Sequence, residues 1–260
     1  MTSSPTTASL TDSVPRCSAN DDAECTVIEL RQYTLHPGKR DVLIELFERE
    51  FVESQEVLGM RLLGQFRDLG DPDKFVWMRG FEDMASRQAG LTAFYTGPVW
   101  MAHRNVANDT MVDSDNVLLL KPAWAGSGLR HQPGGRAAIG AQNDPPGLVD
   151  ITVFALKAAV DERLLDFCRQ HMAAVLQDAG AHDVAWYVTE DAPNNFPRLP
   201  VRTGEQVLVG VAVFRDGKHY DAFVTSGAWG RRIAPTLDAW LAGPNQSMRL
   251  TPTPRSTLHD

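Results

Sequence analysis

Three alternate residues near the start of the chain, Glu29, Arg31 and Tyr33, carry an acid, a cation and a phenol. On an extended segment, alternate side chains share one face, so these three groups stand together. The same alternation adds Gln65 and Arg67 on a second segment, then Phe75, Trp77 and Arg79 on a third. Such a face could hold a small aromatic or anionic ligand. Guanidinium groups fork onto a carboxylate, and Trp77 offers a stacking surface. Glu29 could then act as a base, or Tyr33 as an acid, on a proton next to a carbonyl. A second reading uses the same residues without any ligand. Buried charge is costly, so Glu29 and the arginines pair across strands and satisfy a polar interface.

Other chemistries find no support. There is no Walker A sequence, no G-x-G-x-x-G after a strand and no H-E-x-x-H. Gly126-Ser127-Gly128 lacks the nucleophile-elbow pattern, which argues against a serine hydrolase. Cys17, Cys25 and Cys168 form no C-x-x-C pair, so neither a disulfide framework nor a structural zinc site is expected. Cys168 stands on an apolar helical stripe and reads as inert core. A net charge of −8 and a pI of about 5.4 are the wrong balance for nucleic acid. No apolar run is long enough to span a membrane, and the Ser/Thr-rich start shows no signal-peptide pattern, so the expected compartment is the cytoplasm.

The elements that position these residues come in two similar series. The first begins with a strand over residues 27–33. An amphipathic helix comes next, with Leu43, Leu46, Phe47, Phe51 and Leu58 on one face, stopped by Gly59. Strands over 61–67 and 74–81 succeed it, then a helical region from 84 to 111 interrupted at Gly97-Pro98, and a strand over 116–121. The second series is a strand over 149–156, a helix over 161–179 stopped by Gly180, strands over 184–190 and 206–214, a helix over 219–241 and a strand near 247–252. A Pro-rich loop from Asp191 to Gly204 is long enough to act as a lid.

Each series reads β-α-β-β-α-β, the ferredoxin-like split unit, with helices on one face of an antiparallel sheet. The uncovered sheet faces can cover each other. The predicted fold class is therefore α+β, two tandem ferredoxin-like units packed sheet to sheet as an α/β barrel. The boundaries are a disordered segment at 1–25, a first domain at 26–124, a Gly/Pro-rich linker at 125–147 and a second domain at 148–256. In this arrangement Ile28 and Leu30 are expected under the helices, and Glu29, Arg31 and Tyr33 in the barrel lumen.

The segment Glu29-Leu30-Arg31-Gln32-Tyr33-Thr34-Leu35-His36-Pro37-Gly38-Lys39 resembles the opening strand of the NIPSNAP family, and Gly59 to Phe66 and Phe75 to Phe81 are similar to its next two strands. The likeness spans roughly residues 27–124. In the second half Asp150-Ile151-Thr152-Val153-Phe154 stands where Glu-Leu-Arg would be. The resemblance implies a dimeric α/β-barrel fold. That superfamily includes cofactor-free monooxygenases, isomerases, lyases and haem enzymes, whereas the animal NIPSNAP proteins are known as adaptors. The function implied is a small-molecule enzyme that needs no cofactor. Its catalytic candidates are Glu29, Arg31 and Tyr33, and its substrate contacts are Gln65, Arg67, Trp77 and Arg79. The haem alternative would use His103 as its axial ligand, and the adaptor alternative would have a protein partner and an empty or sealed lumen. A homodimer through exposed strand edges or helices is also expected, with neither nucleic acid nor membrane as partner.

Overall fold

The computed structural model describes residues 25–130 and 133–260. The first half runs β1 (Val27–Leu35), α1 (Arg40–Leu46), a π-helical turn (Phe47–Phe51), α2 (Val52–Glu56), β2 (Arg61–Asp68), β3 (Lys74–Phe81), α3 (Met84–Thr96), α4 (Pro98–Asn108), β4 (Met111–Asp113) and β5 (Val117–Pro122). The second runs β6 (Leu148–Leu156), α5 (Glu162–Phe167), a π-helical turn (Cys168–Met172), α6 (Ala173–Asp178), β7 (Ala181–Thr189), β8 (Gln206–Phe214), α7 (Gly217–Ser226), α8 (Ala228–Arg232), α9 (Ala234–Leu237) and β9 (Gln246–Pro252).

Local chemistry sets most of these boundaries. Gly59 and Gly180 end the first helical stretch of each half at positive φ, +83° and +92°, a conformation that glycine adopts without a Cβ penalty. The side chains of Asp83, Asp161 and Asp216 cap α3, α5 and α7 by accepting from the backbone N–H three residues on. The single helix expected over 219–241 is instead three short ones. Gly227 turns left-handed at φ +62°, and Pro235 supplies no N–H at the start of α9.

The strands form one antiparallel sheet in the order β3-β2-β9-β6-β8-β7-β5-β1, and β3 pairs back onto β1 to close an eight-strand barrel. The short β4 extends the β5 side of β1. The two halves join along β5–β7 and β2–β9. Among the described residues each of the eight long strands has at least two neighbours, and the short β4 has one. No helix among the described residues is long and apolar enough to cross a membrane.

The lumen is packed. Ile28, Leu30, Met78, Val149, Val209, Val211 and Leu250 fill it, all buried, with Tyr187 and Phe66 among them. An eight-strand barrel is just wide enough for its own side chains, and burying each such aliphatic group contributes about 1.5–3 kcal/mol. The expected facing is therefore reversed: Ile28 and Leu30 point into the lumen, and the Glu29 face lies under the helices. A closed lumen offers buried charges no partners, whereas the layer between sheet and helices does.

The expected disorder over 1–25 falls outside the described residues except for Cys25, which is buried in the lumen cluster. The C-terminal tail is packed in. Arg255 and Ser256 are buried, and Leu258 joins the lumen cluster. Glu48 in the first π-helical turn accepts from Thr253 Oγ1 at 2.6 Å and from the Arg255 N–H at 2.8 Å. The linker is drawn in as well, through an ion pair from Arg136 to Glu56 at 2.6 Å.

Candidate active site

Between β1, β3 and the helices of the first half, Glu29 stands opposite Arg79, Arg31 opposite Trp77 and Tyr33 opposite Phe75. Glu29 Oε2 accepts from Arg31 Nη1 at 2.8 Å and Arg79 Nε at 2.8 Å, and Oε1 accepts from Arg87 Nε at 2.8 Å. Glu29, Arg79 and Arg87 are fully buried, and Arg31 nearly so. Burial pushes the Glu29 pKa up, but Arg79, Arg31 and Arg87 together outweigh it and hold the carboxyl far below the usual range. Glu29 is thus a permanent anion with every oxygen engaged, and no base. The Tyr33 hydroxyl accepts from Arg31 Nε at 3.0 Å, and burial raises its pKa, so it stays a neutral phenol. Trp77 lies between the Arg31 and Arg79 guanidinium groups, 5.4 and 5.1 Å from its ring. A void of about 30 Å³ is left against this cluster, lined by Phe47, Phe51, Trp77, Phe94 and Trp100. This is the pairing arrangement, packed solid.

Gln65 and Arg67 face Trp77 and Phe75 across the β2–β3 ladder, yet their polar groups take other partners. Gln65 is buried beneath Arg136, whose Nη1 stands 3.4 Å from its Oε1, and Arg67 forms ion pairs with Asp41 and Asp144. His103 on α4 is one-third exposed, with Nε2 at 3.5 Å from Glu50 Oε2 and its ring against Phe51. It does not line the small void left against the Glu29 cluster. The lid expected over the lumen covers the first-half helices instead. Arg87 Nη1 donates to Asn194 Oδ1 and Asn195 Oδ1 at 3.0 and 2.7 Å, and Phe196 packs on Tyr95.

The corresponding layer of the second half is open. Asp150 is the third residue of β6 as Glu29 is of β1, and Thr152 and Phe154 come where Arg31 and Tyr33 stand. Across the ladder, Ala212 faces Asp150 and Gly210 faces Thr152, the places that Arg79 and Trp77 hold in the first half. Losing those large side chains leaves a pocket of about 250 Å³, bounded by Phe154, Leu176, Trp186, Phe223 and Trp229 and by the polar groups Asp150, Thr152, Asn245 and Ser247. Gly210 is required there, since a Cβ would come within 2.7 Å of the Trp186 ring.

Asp150 meets hydroxyls rather than cations. Its Oδ1 accepts from Ser247 Oγ at 2.8 Å and from the Tyr220 hydroxyl at 3.2 Å, and its Oδ2 accepts from Thr152 Oγ1 at 3.0 Å. Among the described residues no cation comes within ion-pair distance of it; Arg249 lies over the Tyr220 ring and reaches Asp221 at 3.6 Å. Burial raises the Asp150 pKa against those three hydrogen bonds and the charge of Arg249, its neighbour across the β6–β9 ladder. Tyr220 is also raised, by burial and then by Asp150. A carboxylate accepts about four hydrogen bonds, so Oδ2 keeps a lone pair for a ligand. A carboxyl with a raised pKa on the wall of an apolar pocket is the usual mark of an acid–base site.

None of these pocket residues is among the sequence-derived candidates. The signal is nevertheless present: Asp-x-Thr-x-Phe in place of Glu-x-Arg-x-Tyr, and Gly210 and Ala212 opposite. A packed lumen ceases to separate adaptor from enzyme, because the pocket lies outside the barrel.

A closed antiparallel barrel of eight strands with its helices outside is the dimeric α/β-barrel fold, here completed within one chain. The NIPSNAP family model matches residues 28–125, so the first half carries a NIPSNAP domain. Among solved structures, a protein of Lactobacillus acidophilus NCFM described as a "putative monooxygenase" shares 14% identity, with 91% of this chain and 100% of that chain covered and a TM-score of 0.55. A "putative monooxygenase" of Fusobacterium nucleatum shares 12%, covering 88% and 93%, with a TM-score of 0.57. An "anthrone oxidase-like protein" shares 14%, covering 91% and 95%, at 0.53. At these identities the likeness is one of fold. No curated protein matches the chain by sequence.

Proposed function

We propose that this protein is a small-molecule enzyme whose chemistry takes place in the second-half pocket, with Asp150 as the base. The observation that carries the reading is the Asp150 carboxylate itself, bound by three hydroxyls with no cation at ion-pair distance among the described residues, on the wall of an aromatic pocket of about 250 Å³. The substrate is a flat, mostly apolar molecule carrying a C–H made acidic by a carbonyl conjugated with it through the ring system. Its rings lie against Trp186, Phe223 and Trp229. Asp150 Oδ2 takes the proton, and Asn245, which lines the same pocket, donates from its amide to the oxygen of the resulting enolate.

Deprotonation is the step that cofactor-free oxygenation, isomerisation and elimination share. The oxygenation branch is favoured by the structural neighbours bearing the names monooxygenase and anthrone oxidase. In that branch the carbanion gives its electrons to dioxygen, the peroxide forms at the same carbon, and loss of water leaves a ketone. The reaction then needs no bound cofactor.

The test is oxygen uptake with anthrone in air, with the anthraquinone product monitored by absorbance. Asp150→Asn is expected to lower the rate by about 10²–10⁴-fold, the usual contribution of a general base. Equal rates for the wild type and Asp150→Asn would overturn the assignment.

A further inference from the structure

A second cleft opens on the outside of the first half, and nothing in the proposed reaction uses it. It encloses about 300 Å³ where α4 meets the loop between β7 and β8. Trp100 and Arg104 are one helical turn apart on α4 and so project from the same face. Phe196 and Arg198 come from the loop. The aromatic wall is built: Tyr95 lies 4.8 Å from Trp100 and 5.9 Å from Phe196, centroid to centroid. The loop that completes it is fixed from below, where buried Arg87 holds Asn194 and Asn195. The wall is therefore preformed.

Its electrostatics are one-sided. Arg104 and Arg198 are exposed on the rim, and among the described residues neither has a carboxylate partner; Arg104 reaches only Met101 Sδ at 3.5 Å. Asp115 is the single acid of the lining. Behind the floor, Tyr33 backs onto Arg31 in a cluster where one carboxylate, Glu29, meets three guanidinium groups. That cluster leaves uncompensated positive charge in a low-dielectric layer, where its field is weakly screened. The surroundings favour an anion although the chain as a whole is acidic.

We infer that this cleft is a binding site for a small aromatic carboxylate. The ring system stacks on Trp100, Tyr95 and Phe196, and the carboxylate takes the Arg104 and Arg198 guanidinium groups. The inference is independent of the reaction assigned to Asp150.

The probe is 2-naphthoate, with neutral 2-naphthamide as its control, titrated calorimetrically into the full-length protein. Naphthoate is expected to bind at least about tenfold more tightly than the amide, and the Arg104→Ala/Arg198→Ala double variant to weaken it by about tenfold or more. Both arginines are exposed, so the double variant should keep the wild-type Tm, and Trp100→Ala gives a second, uncharged perturbation expected to weaken both probes. Ala212→Trp, which fills the other pocket, should leave naphthoate binding unchanged. Equal affinity for acid and amide, an unaffected double variant, failure of naphthoate to bind at millimolar concentration, or loss of binding in Ala212→Trp would each overturn the inference.

Discussion

Glu29 and Asp150 hold the same third position in β1 and β6, yet three guanidinium groups neutralise the first and three hydroxyls meet the second. Arginine charge holds one acid far below the usual carboxylate range, and burial pushes the other up. Their neighbours across the ladder make the difference. Arg79 and Trp77 fill the first layer, and Ala212 and Gly210 vacate the second.

Glu29→Gln tests the first acid. It would strand three buried cations, at a cost of about 3–5 kcal/mol in stability. Because the folded pKa lies below the unfolded one, the stabilisation from Glu29 is fully present above the ordinary carboxylate range. It fades only as pH falls through that range towards the folded value. Denaturant melts from pH 7 down to pH 3 should show a shallower acid limb in Glu29→Gln than in the wild type.

Asp150→Asn should behave oppositely. The Asp150 pKa is raised on folding, so the folded state holds its proton more tightly and stability falls as pH rises through the shifted range. At neutral pH Asp150→Asn is therefore expected to raise Tm while lowering turnover by about 10²–10⁴-fold. A drop in Tm at pH 7 would contradict the assigned direction.

Gly210→Ala probes the space. The new Cβ meets Trp186 Cζ3 at 2.7 Å and Cη2 at 2.9 Å, so the indole must shift. A loss of about 1–3 kcal/mol is expected, as for other overpacked positions. Binding of an apolar ligand should weaken with it, and a crystal structure would show the displaced ring.

Arg255→Ala probes the seal formed by the C-terminal segment. Arg255 is buried, pairs with Glu53 and donates to Ala137 O at 2.9 Å. Removing the side chain is expected to cost about 2 kcal/mol through lost packing and charged hydrogen bonds. Hydrogen exchange should then quicken in residues 253–260 and leave β6–β8 unchanged.

The barrel was legible because each half spells its strands by alternation and its helix ends by Gly59 and Gly180. Which face met the helices was not. Alternation says only that Glu29 and Ile28 point oppositely, and both faces of this sheet are buried. The apolar helical stripe suggested Ile28 as its neighbour, whereas the closed lumen takes the aliphatic set and leaves the charges to pair under the helices. Arg87 was missed because it lies on α3, far in sequence from the strand residues it joins. The Asp150 pocket was hidden for a different reason. Its signal is an absence, small residues at 210 and 212, and absence acquires meaning only once the ladder sets them opposite Thr152 and Asp150.

The base assignment is tested most directly without oxygen. Anthrone and the protein are mixed anaerobically in D2O, and exchange of the acidic C–H positions next to the rings is tracked by NMR. The wild type is expected to accelerate exchange well above the buffer rate, with the acceleration lost in Asp150→Asn and kept in Glu29→Gln at a temperature where that variant stays folded. Exchange that survives in Asp150→Asn, or that vanishes only in Glu29→Gln, would place the base elsewhere.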